Sequence, residues 1–269
     1  GDEGKLSGAI RRLLEEDPTL KYVHNHETHQ RMIGGLGDQH LDVAAAKLKS
    51  KFGMEVKMSE PKIAYREAIR KPVTIESKYK KQSGGHGQYG HVKIEFEPYD
   101  GDELMFCEKV FGGAVPKNFF PAVEKGLQEA AEHGSIGGFP VVRLKATLID
   151  GSYHPVDSSE MAFKTAASMA FKDCMKEAQP YLLEPVDSLK ILLPDDKQGD
   201  VMSVLSKRRG SVLGMNSVGG GMTELHAEAP EAELGDFALT LRQITQGLGE
   251  FTSEFARYDM LPPGTEIKS

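Results

Sequence analysis

The order of helices and strands predicted for the C-terminal part is the strongest constraint on the fold. Apolar residues alternate or run together at 188–193, 211–215, 222–228 and 250–258, which predicts four strands. Apolar residues three and four positions apart predict helices at 199–209 and 237–246. The resulting order is strand, helix, strand, strand, helix, strand, which is that of the ferredoxin-like split β-α-β unit.

The N-terminal part follows the same order without its first strand. Helices are predicted at 5–17 and from Asp38 onward, and strands at 21–23, 31–33 and 54–58. The first strand of this topology lies inside the sheet, so its absence is a real loss to the domain. The chain also opens on Gly1 rather than Met. We therefore expect a piece of a longer protein.

A longer block of a different order lies between these two units. Strands are predicted at 73–80, 91–98 and 140–149, and helices at 121–132 and 157–178. Asp157 and Glu160 have the spacing of a capping box at the start of the last helix. Pro61 and the segment 180–185 are the natural joints. The sequence thus predicts an α+β chain with domains at 1–60, 61–183 and 184–269.

Composition excludes several classes of protein. The chain has only two cysteines among 269 residues, too few for a disulfide framework, which favours a reducing cytoplasm. No apolar run approaches the roughly 18 residues of a membrane span, so no membrane partner is expected. The net charge of −7 argues against a general nucleic-acid coat, although it leaves room for a local basic patch.

The glycine-rich stretch 83–92 matches a nucleotide-binding loop by letter. Gly85 to Val92 spells G-x-G-x-x-G-x-V. A kinase loop requires the partner motifs V-A-I-K, H-R-D and D-F-G, and none of them is present. A dinucleotide loop requires a helix directly after the glycines, whereas the residues at 91–96 alternate like a strand. The stretch is therefore predicted to be the loop of a β-hairpin.

The residues around these glycines suit contact with RNA. Lys78, Lys80 and Lys81 precede the glycines, and His86 and Tyr89 interrupt them. Cations neutralise phosphates, glycines allow the backbone a close approach, and rings stack on exposed bases. The alternative is a flexible loop beside a solvated run of charge. The residues alone leave both interpretations open.

The other candidate sites have structural explanations. The histidines at 24, 26 and 29 are too few and too poorly spaced to predict a metal site. The group at 157–159 is typical of a helix start rather than a catalytic triad. Lys207, Arg208 and Arg209 end a predicted helix, where cations favour the helix dipole. No catalytic residue and no metal site are predicted.

Separate stretches along the whole chain resemble the third, fourth and fifth domains of bacterial elongation factor G, the ribosomal translocase GTPase. The stretches 83–92 and 151–160 resemble the two tip loops of the fourth domain. The stretch 35–42 resembles the start of a helix in the third domain, and 61–67 resembles the joint into the fourth domain. The stretches 206–210 and 241–247 resemble two signatures of the fifth domain.

The resemblance implies a specific fold and role. Two ferredoxin-like domains would flank a domain similar to the second domain of ribosomal protein S5. The tip loops would contact the duplex of messenger and transfer RNA in the decoding site during GTP-driven translocation, and the fifth domain would contact ribosomal RNA. The implied RNA-binding residues are Lys80, Lys81, Ser83, Gly84, Gly85, His86, Gly87, Gln88, Ser152, Tyr153, His154, Pro155, Lys207, Arg208 and Arg209.

The implied partners are the ribosome and the messenger–transfer RNA duplex, with the chain itself a monomer in the cytoplasm. GTP and Mg²⁺ would bind a GTPase domain outside this chain, so no cofactor is expected here. Alternatives are a ribosome-protection or ribosome-recycling factor of the same superfamily, or a stand-alone RNA-binding module.

The sequence departs from the family pattern at two positions that bear on RNA contact. His86 stands where many relatives have Arg, and Leu248 stands between glycines where Arg is common. Both departures remove a permanent cation and predict a weaker affinity for RNA. They favour a divergent paralogue over the main translocase.

Overall fold

The computed structural model describes residues 2–82 and 84–268, and the chain divides into two compact units. The first unit contains the chain up to Ala64, Pro185–Arg257 and the residues from Glu266 onward. The second unit contains Tyr65–Glu184 and Tyr258–Thr265. Each unit is built from helices packed against antiparallel strands, so the predicted α+β class is confirmed.

The N-terminal part of the first unit has two helices and a two-stranded sheet. The elements are α1 (Asp2–Glu16), β1 (Lys21–Asn25), β2 (Gln30–Gly34) and α2 (Asp38–Phe52). β1 and β2 pair antiparallel, with Tyr22 opposite Ile33. The buried residues all come from the helices and the turn after α1; they are Ala9, Ile10, Leu13, Leu20, Ala44 and Leu48.

The strand predicted at 54–58 is wrong. This segment is irregular, although Met54 and Val56 still pack against the core of the N-terminal part. In the ferredoxin-like order the last strand pairs with the first, and the described residues contain no strand before α1. The apolar side chains at 54–58 therefore pack on the core, but the backbone of this segment lacks a neighbouring strand with which to form hydrogen bonds.

The second unit is a four-stranded sheet covered by two helices. The elements are β3 (Arg66–Ile69), β4 (Val73–Lys81), β5 (Gln88–Pro98), β6 (Met105–Glu108), α3 (Phe120–Ala131), β7 (Leu144–Ser152) and α4 (Glu160–Glu177). The sheet has the order β4-β5-β7-β6. All its pairs are antiparallel except β6 with β7. Val92, Ile94 and Phe96 alternate along β5 and are fully buried in the core.

The short strand β3 belongs to the same unit but lies outside this sheet. It pairs antiparallel with the first residues of β8 (Pro180–Pro194). The side chain of Glu67 in β3 is fully buried. Its carboxylate accepts the backbone N–H groups of Ile136 and Gly137, at distances of 2.9 to 3.1 Å. A buried carboxylate thus holds the loop that follows α3.

The C-terminal part of the first unit has the predicted ferredoxin-like order. After β8 come α5 (Gln198–Lys207), β9 (Ser211–Gly219), β10 (Met222–Pro230), α6 (Phe237–Ile244) and β11 (Glu250–Met260). The sheet order is β11-β8-β10-β9, so the first and third strands lie at its centre. Leu189, Ile191 and Leu193 of β8 alternate into a core with Leu225 and Phe237.

Candidate nucleic-acid interface

Two loops leave the sheet of the second unit at the same end. β4 ends and β5 begins there, with Lys81 opposite Gln88. β7 ends there as well, with Ser152 opposite His91 of β5. The loop at 82–87 and the loop at 153–159 are therefore neighbours, although about seventy residues separate them in the sequence. We call the first of these loops, together with the strand residues at its two ends, the first tip loop (80–82 and 84–89), and 153–159 the second tip loop.

The glycines of the first tip loop differ in what surrounds them. Gly84 and Gly85 have left-handed backbone angles, with φ of 42° and 141°, and open space where a side chain would stand. Gly87 instead packs on its own chain, since a Cβ there would lie 2.9 Å from the carboxylate of Asp157. Gly90 lies at the start of β5, where a Cβ would meet the backbone oxygen of Ala162 at 2.3 Å. Only the first two glycines leave bare backbone open to a ligand.

The remaining predicted residues of the first tip loop face solvent. Lys80, Lys81, His86 and Gln88 are all exposed. Gln88 accepts a hydrogen bond from the Tyr79 hydroxyl at 2.8 Å. Ser83, which the resemblance also implies, lies outside the described residues.

The second tip loop is ordered by hydrogen bonds to its own backbone. The His154 N–H donates to the Ser158 hydroxyl at 2.8 Å. The ring Nδ1 of His154 accepts the N–H groups of Val156 and Asp157, at 3.3 and 3.1 Å. An atom that accepts these two donors carries no hydrogen, so the neutral ring holds its proton on Nε2. Tyr153, His154 and Pro155 are exposed around this turn.

The two tip loops are joined by three hydrogen bonds. Asp157 accepts the Gly87 N–H on its carboxylate at 3.0 Å and the Tyr89 N–H on its backbone oxygen at 2.9 Å. The Ser158 hydroxyl donates to the Tyr89 backbone oxygen at 2.9 Å. Moving one loop would break these bonds to the other. The loops therefore form one tip rather than two independent segments.

A second polar network fixes the point where β7 ends. The Ser152 hydroxyl lies 2.6 Å from the Tyr89 hydroxyl and 2.7 Å from Nδ1 of His91. Nε2 of His91 lies 2.7 Å from the carboxylate of Glu76. The Tyr89 ring also lies under Lys78, whose Nζ is 5.5 Å from the ring centre. The half-buried Ser152 thus fixes the start of the second tip loop. Tyr153, His154 and Pro155, which follow it, remain exposed to solvent.

The expected capping box at Asp157 and Glu160 is wrong. α4 begins at Glu160, and its N-cap is Ser159, whose hydroxyl accepts the Ala162 N–H at 3.1 Å. The Asp157 carboxylate is directed to Gly87 instead. The sequence analysis missed this role because the bond joins residues that no local spacing connects. The hydrogen bonds of Tyr89, His91 and Ser158 were missed for the same reason.

The cationic segment at 207–209 belongs to the first unit. Lys207 is exposed in the last turn of α5. The Arg208 guanidinium donates to Asp236, to the Glu233 backbone oxygen and to Thr240. Its hydrogen bond holds the pKa of the Asp236 carboxyl below its usual value. The Arg208 guanidinium is therefore bonded within the fold by these three contacts.

Over residues 2–82 and 84–268, no group of three or more His, Cys, Asp or Glu side chains is arranged to hold a metal ion. No helix in the described part of the chain is long and apolar enough to cross a membrane.

Comparisons with known proteins match nearly all of the chain to models of one family. Three family models match in order: Elongation Factor G, domain III, at residues 1–60; Elongation factor G, domain IV, at 61–179; and Elongation factor G C-terminus, at 181–266. The domain IV match contains both tip loops.

Two similar proteins cover nearly all of the chain. An elongation factor G-like protein of Thermotoga maritima is 46% identical over 268 residues, which is 99% of this chain and 39% of that protein. A crystal structure of a Thermus thermophilus protein is also 46% identical, with a TM-score of 0.87 over 97% of this chain and 39% of that one. The chain thus spans about two fifths of the length of each.

Proposed function

The chain belongs to the elongation factor G family, and from this premise we propose that it forms the RNA-contacting part of a ribosomal translocase. It carries domains III and IV and the C-terminal domain in the family's order. In this proposal the joined tip of domain IV enters the decoding site and touches the duplex of messenger and transfer RNA. GTP would act in a separate domain, and this chain would supply shape and hydrogen bonds.

The observation that carries the proposal is the joined tip itself. Its exposed surface combines bare backbone at Gly84 and Gly85 with the exposed rings of His86, Tyr153 and His154. Backbone N–H groups, a ring donor and nearby lysines are the groups that contact phosphates and 2′-hydroxyls without reading sequence. A translocase needs such contacts because it must act on every codon.

Among the residues proposed to contact RNA, His154 offers the most clearly defined hydrogen-bond donor. Its Nδ1 is occupied by two backbone donors, so its Nε2–H is the group offered to a ligand. This N–H group can donate to a 2′-hydroxyl or to a phosphate oxygen.

The direct test is binding of the chain to a short blunt RNA duplex, followed by fluorescence anisotropy. We expect His154→Ala to weaken binding about fivefold, the loss of roughly one hydrogen bond to RNA. The matched control is His133→Ala, because His133 is also exposed in this unit but follows α3 instead of lying in a tip loop. Equal affinities for both variants and the unchanged chain would contradict the proposed role of the tip.

A second test addresses translocation. In a protein that joins this chain to the GTPase part of its family, we expect His154→Ala to slow single-round movement of messenger and transfer RNA. GTP hydrolysis should stay unchanged. A protein that splits ribosomes or displaces a ligand, and shows no movement, would favour the recycling or protection branch of the superfamily.

A further inference from the structure

A third loop reaches the same end of the sheet as the two tip loops. β6 runs parallel to β7, and the Lys109 N–H donates to the Leu148 oxygen at 2.8 Å. The chain then leaves β6 toward the end where β7 stops. It returns at Val115, which is buried and close enough that a Cβ on Gly151 would lie 2.6 Å from its Cγ2. The loop at 109–116 therefore stands beside the root of the second tip loop.

This third loop presents an aromatic ring to solvent. The Phe111 side chain is 93% exposed, more than any other large apolar side chain in the described ranges. Gly112 and Gly113 follow it with left-handed φ angles of 66° and 72°. Glycine adopts these angles without strain, so the backbone turns sharply and leaves the ring outside the fold. In this position the Phe111 ring contributes no packing to the core of the unit.

The charge around Phe111 favours a nucleic-acid ligand over an apolar protein surface. Lys109 and Lys117 flank the loop in the sequence, and both are exposed. The exposed Glu108 precedes them, and its carboxylate accepts the Val110 N–H at 3.4 Å, which leaves the two ammonium groups as the excess charge beside the ring. A bare ring between cations is the arrangement with which proteins bind single-stranded RNA, since the cations attract phosphates and the ring stacks on a base. An apolar protein partner would leave both ammonium groups without a counterpart.

We propose that Phe111 stacks on an unpaired RNA base next to the duplex that the tip loops contact. This inference rests on the proposed function and adds a third contact to it. Bases inside an A-form duplex are already stacked on both faces, whereas an unpaired base offers its face to an aromatic side chain. The two tip loops would hold the duplex, and Phe111 would hold the strand that continues from it.

The test uses two probes that differ only in their bases. One is a short RNA duplex with a single-stranded uridine extension, and the other is the same duplex with an abasic extension of equal charge. We expect Phe111→Leu to weaken binding of the first probe about tenfold and to leave the second unchanged, because stacking needs a ring and a base. Phe111→Tyr should bind both probes as the original chain does.

A spectroscopic version needs no label. The chain contains no tryptophan, so Phe111→Trp introduces the only indole. Its emission should be quenched by the uridine extension and not by the abasic one.

The outcomes separate this inference from the proposed function. If Phe111→Leu binds the uridine probe like the original chain, or loses both probes equally, the inference is overturned while the His154 contact stands. If the original chain binds neither probe, the tip loops and Phe111 fail together. If Phe111→Leu keeps ribosome binding that Phe111→Ala loses, an apolar protein contact replaces the proposed one.

Discussion

Two carboxylates in the second unit hold glycine-containing loops through backbone N–H groups, and they do so in opposite environments. Glu67 is fully buried and accepts from Ile136 and Gly137. Asp157 is half-buried and accepts from Gly87. The chemistry is the same, but water can replace the lost bond only at Asp157. The comparison teaches that the first contact holds the fold, whereas the second holds the candidate site.

The largest effect should come from the buried contact. Glu67→Ala removes a fully buried carboxylate and leaves the N–H groups of Ile136 and Gly137 without their acceptor, so we expect the free energy of unfolding to fall by about 3 kcal/mol. The measurement is urea unfolding followed by circular dichroism. Glu132→Ala is the matched control, because Glu132 ends α3 close in sequence to the same loop but is exposed.

The comparison would be broken if the two variants unfolded alike. A loss below about 1 kcal/mol for Glu67→Ala would mean that water reaches Ile136 and Gly137 once the carboxylate is removed. The loop after α3 would then be as adaptable as the tip.

The contact of the half-buried Asp157 should contribute less to stability than that of Glu67 but more to RNA binding. Asp157→Asn keeps the size of the side chain but weakens its bond to the Gly87 N–H, so we expect a loss of about 1 kcal/mol in unfolding free energy. Binding of the blunt RNA duplex should nevertheless fall several-fold, because the first tip loop is no longer held against the second. Anisotropy and urea unfolding of the same samples measure both quantities.

An RNA affinity equal to that of the unchanged chain would contradict the joined tip. It would mean that the first tip loop keeps its position without the Asp157 bond. Asp173→Asn is the control, since the Asp173 carboxylate accepts from Lys176 on the same helix and lies outside both tip loops.

The sequence predicted where the tip loops lie but not how they are held. The alternation at 91–96 was enough to place a strand after the glycines and so to reject a nucleotide loop. The pattern could not separate Gly84 from Gly87, because the neighbour that fills the space at Gly87 is Asp157, seventy residues away. Local spacing assigned Asp157 to a helix cap, since its actual partner is visible only after the sheet has brought both loops together.

The same limit explains the error in the N-terminal part. The segment 54–58 has the apolar alternation of a strand, and two of its side chains do pack on the core. A strand also needs a neighbouring strand for its backbone hydrogen bonds, and the sequence of the segment alone does not show whether one is present. The C-terminal part supplies every neighbour, and there the predicted order of elements was confirmed.

Asp187 is a third carboxylate to compare with Glu67 and Asp157. Its replacement should have the smallest effect on the free energy of unfolding, and it should stabilise the fold rather than destabilise it. In the first unit, burial raises the pKa of Asp187. Burial, and then the charges of Asp187 and Glu27, raise the pKa of Glu231. The ionised forms are thus less favourable in the folded chain than in the unfolded one. Asp187→Asn should therefore stabilise the fold at pH 7, by less than about 1 kcal/mol.

The pH dependence follows from the direction of the shift. The cost of ionised Asp187 is fully present above its folded pKa and disappears as the pH falls below its unfolded value of about 4. Thermal unfolding of Asp187→Asn and the unchanged chain should differ at pH 7 and converge near pH 3, provided that both remain folded there. Glu67→Gln, whose carboxylate is satisfied by N–H donors, should instead lower the melting temperature at pH 7. If Asp187→Asn and Glu67→Gln both stabilised the fold, burial alone would set the energetic cost of a carboxylate here. The N–H groups that donate to Glu67 would then make no difference.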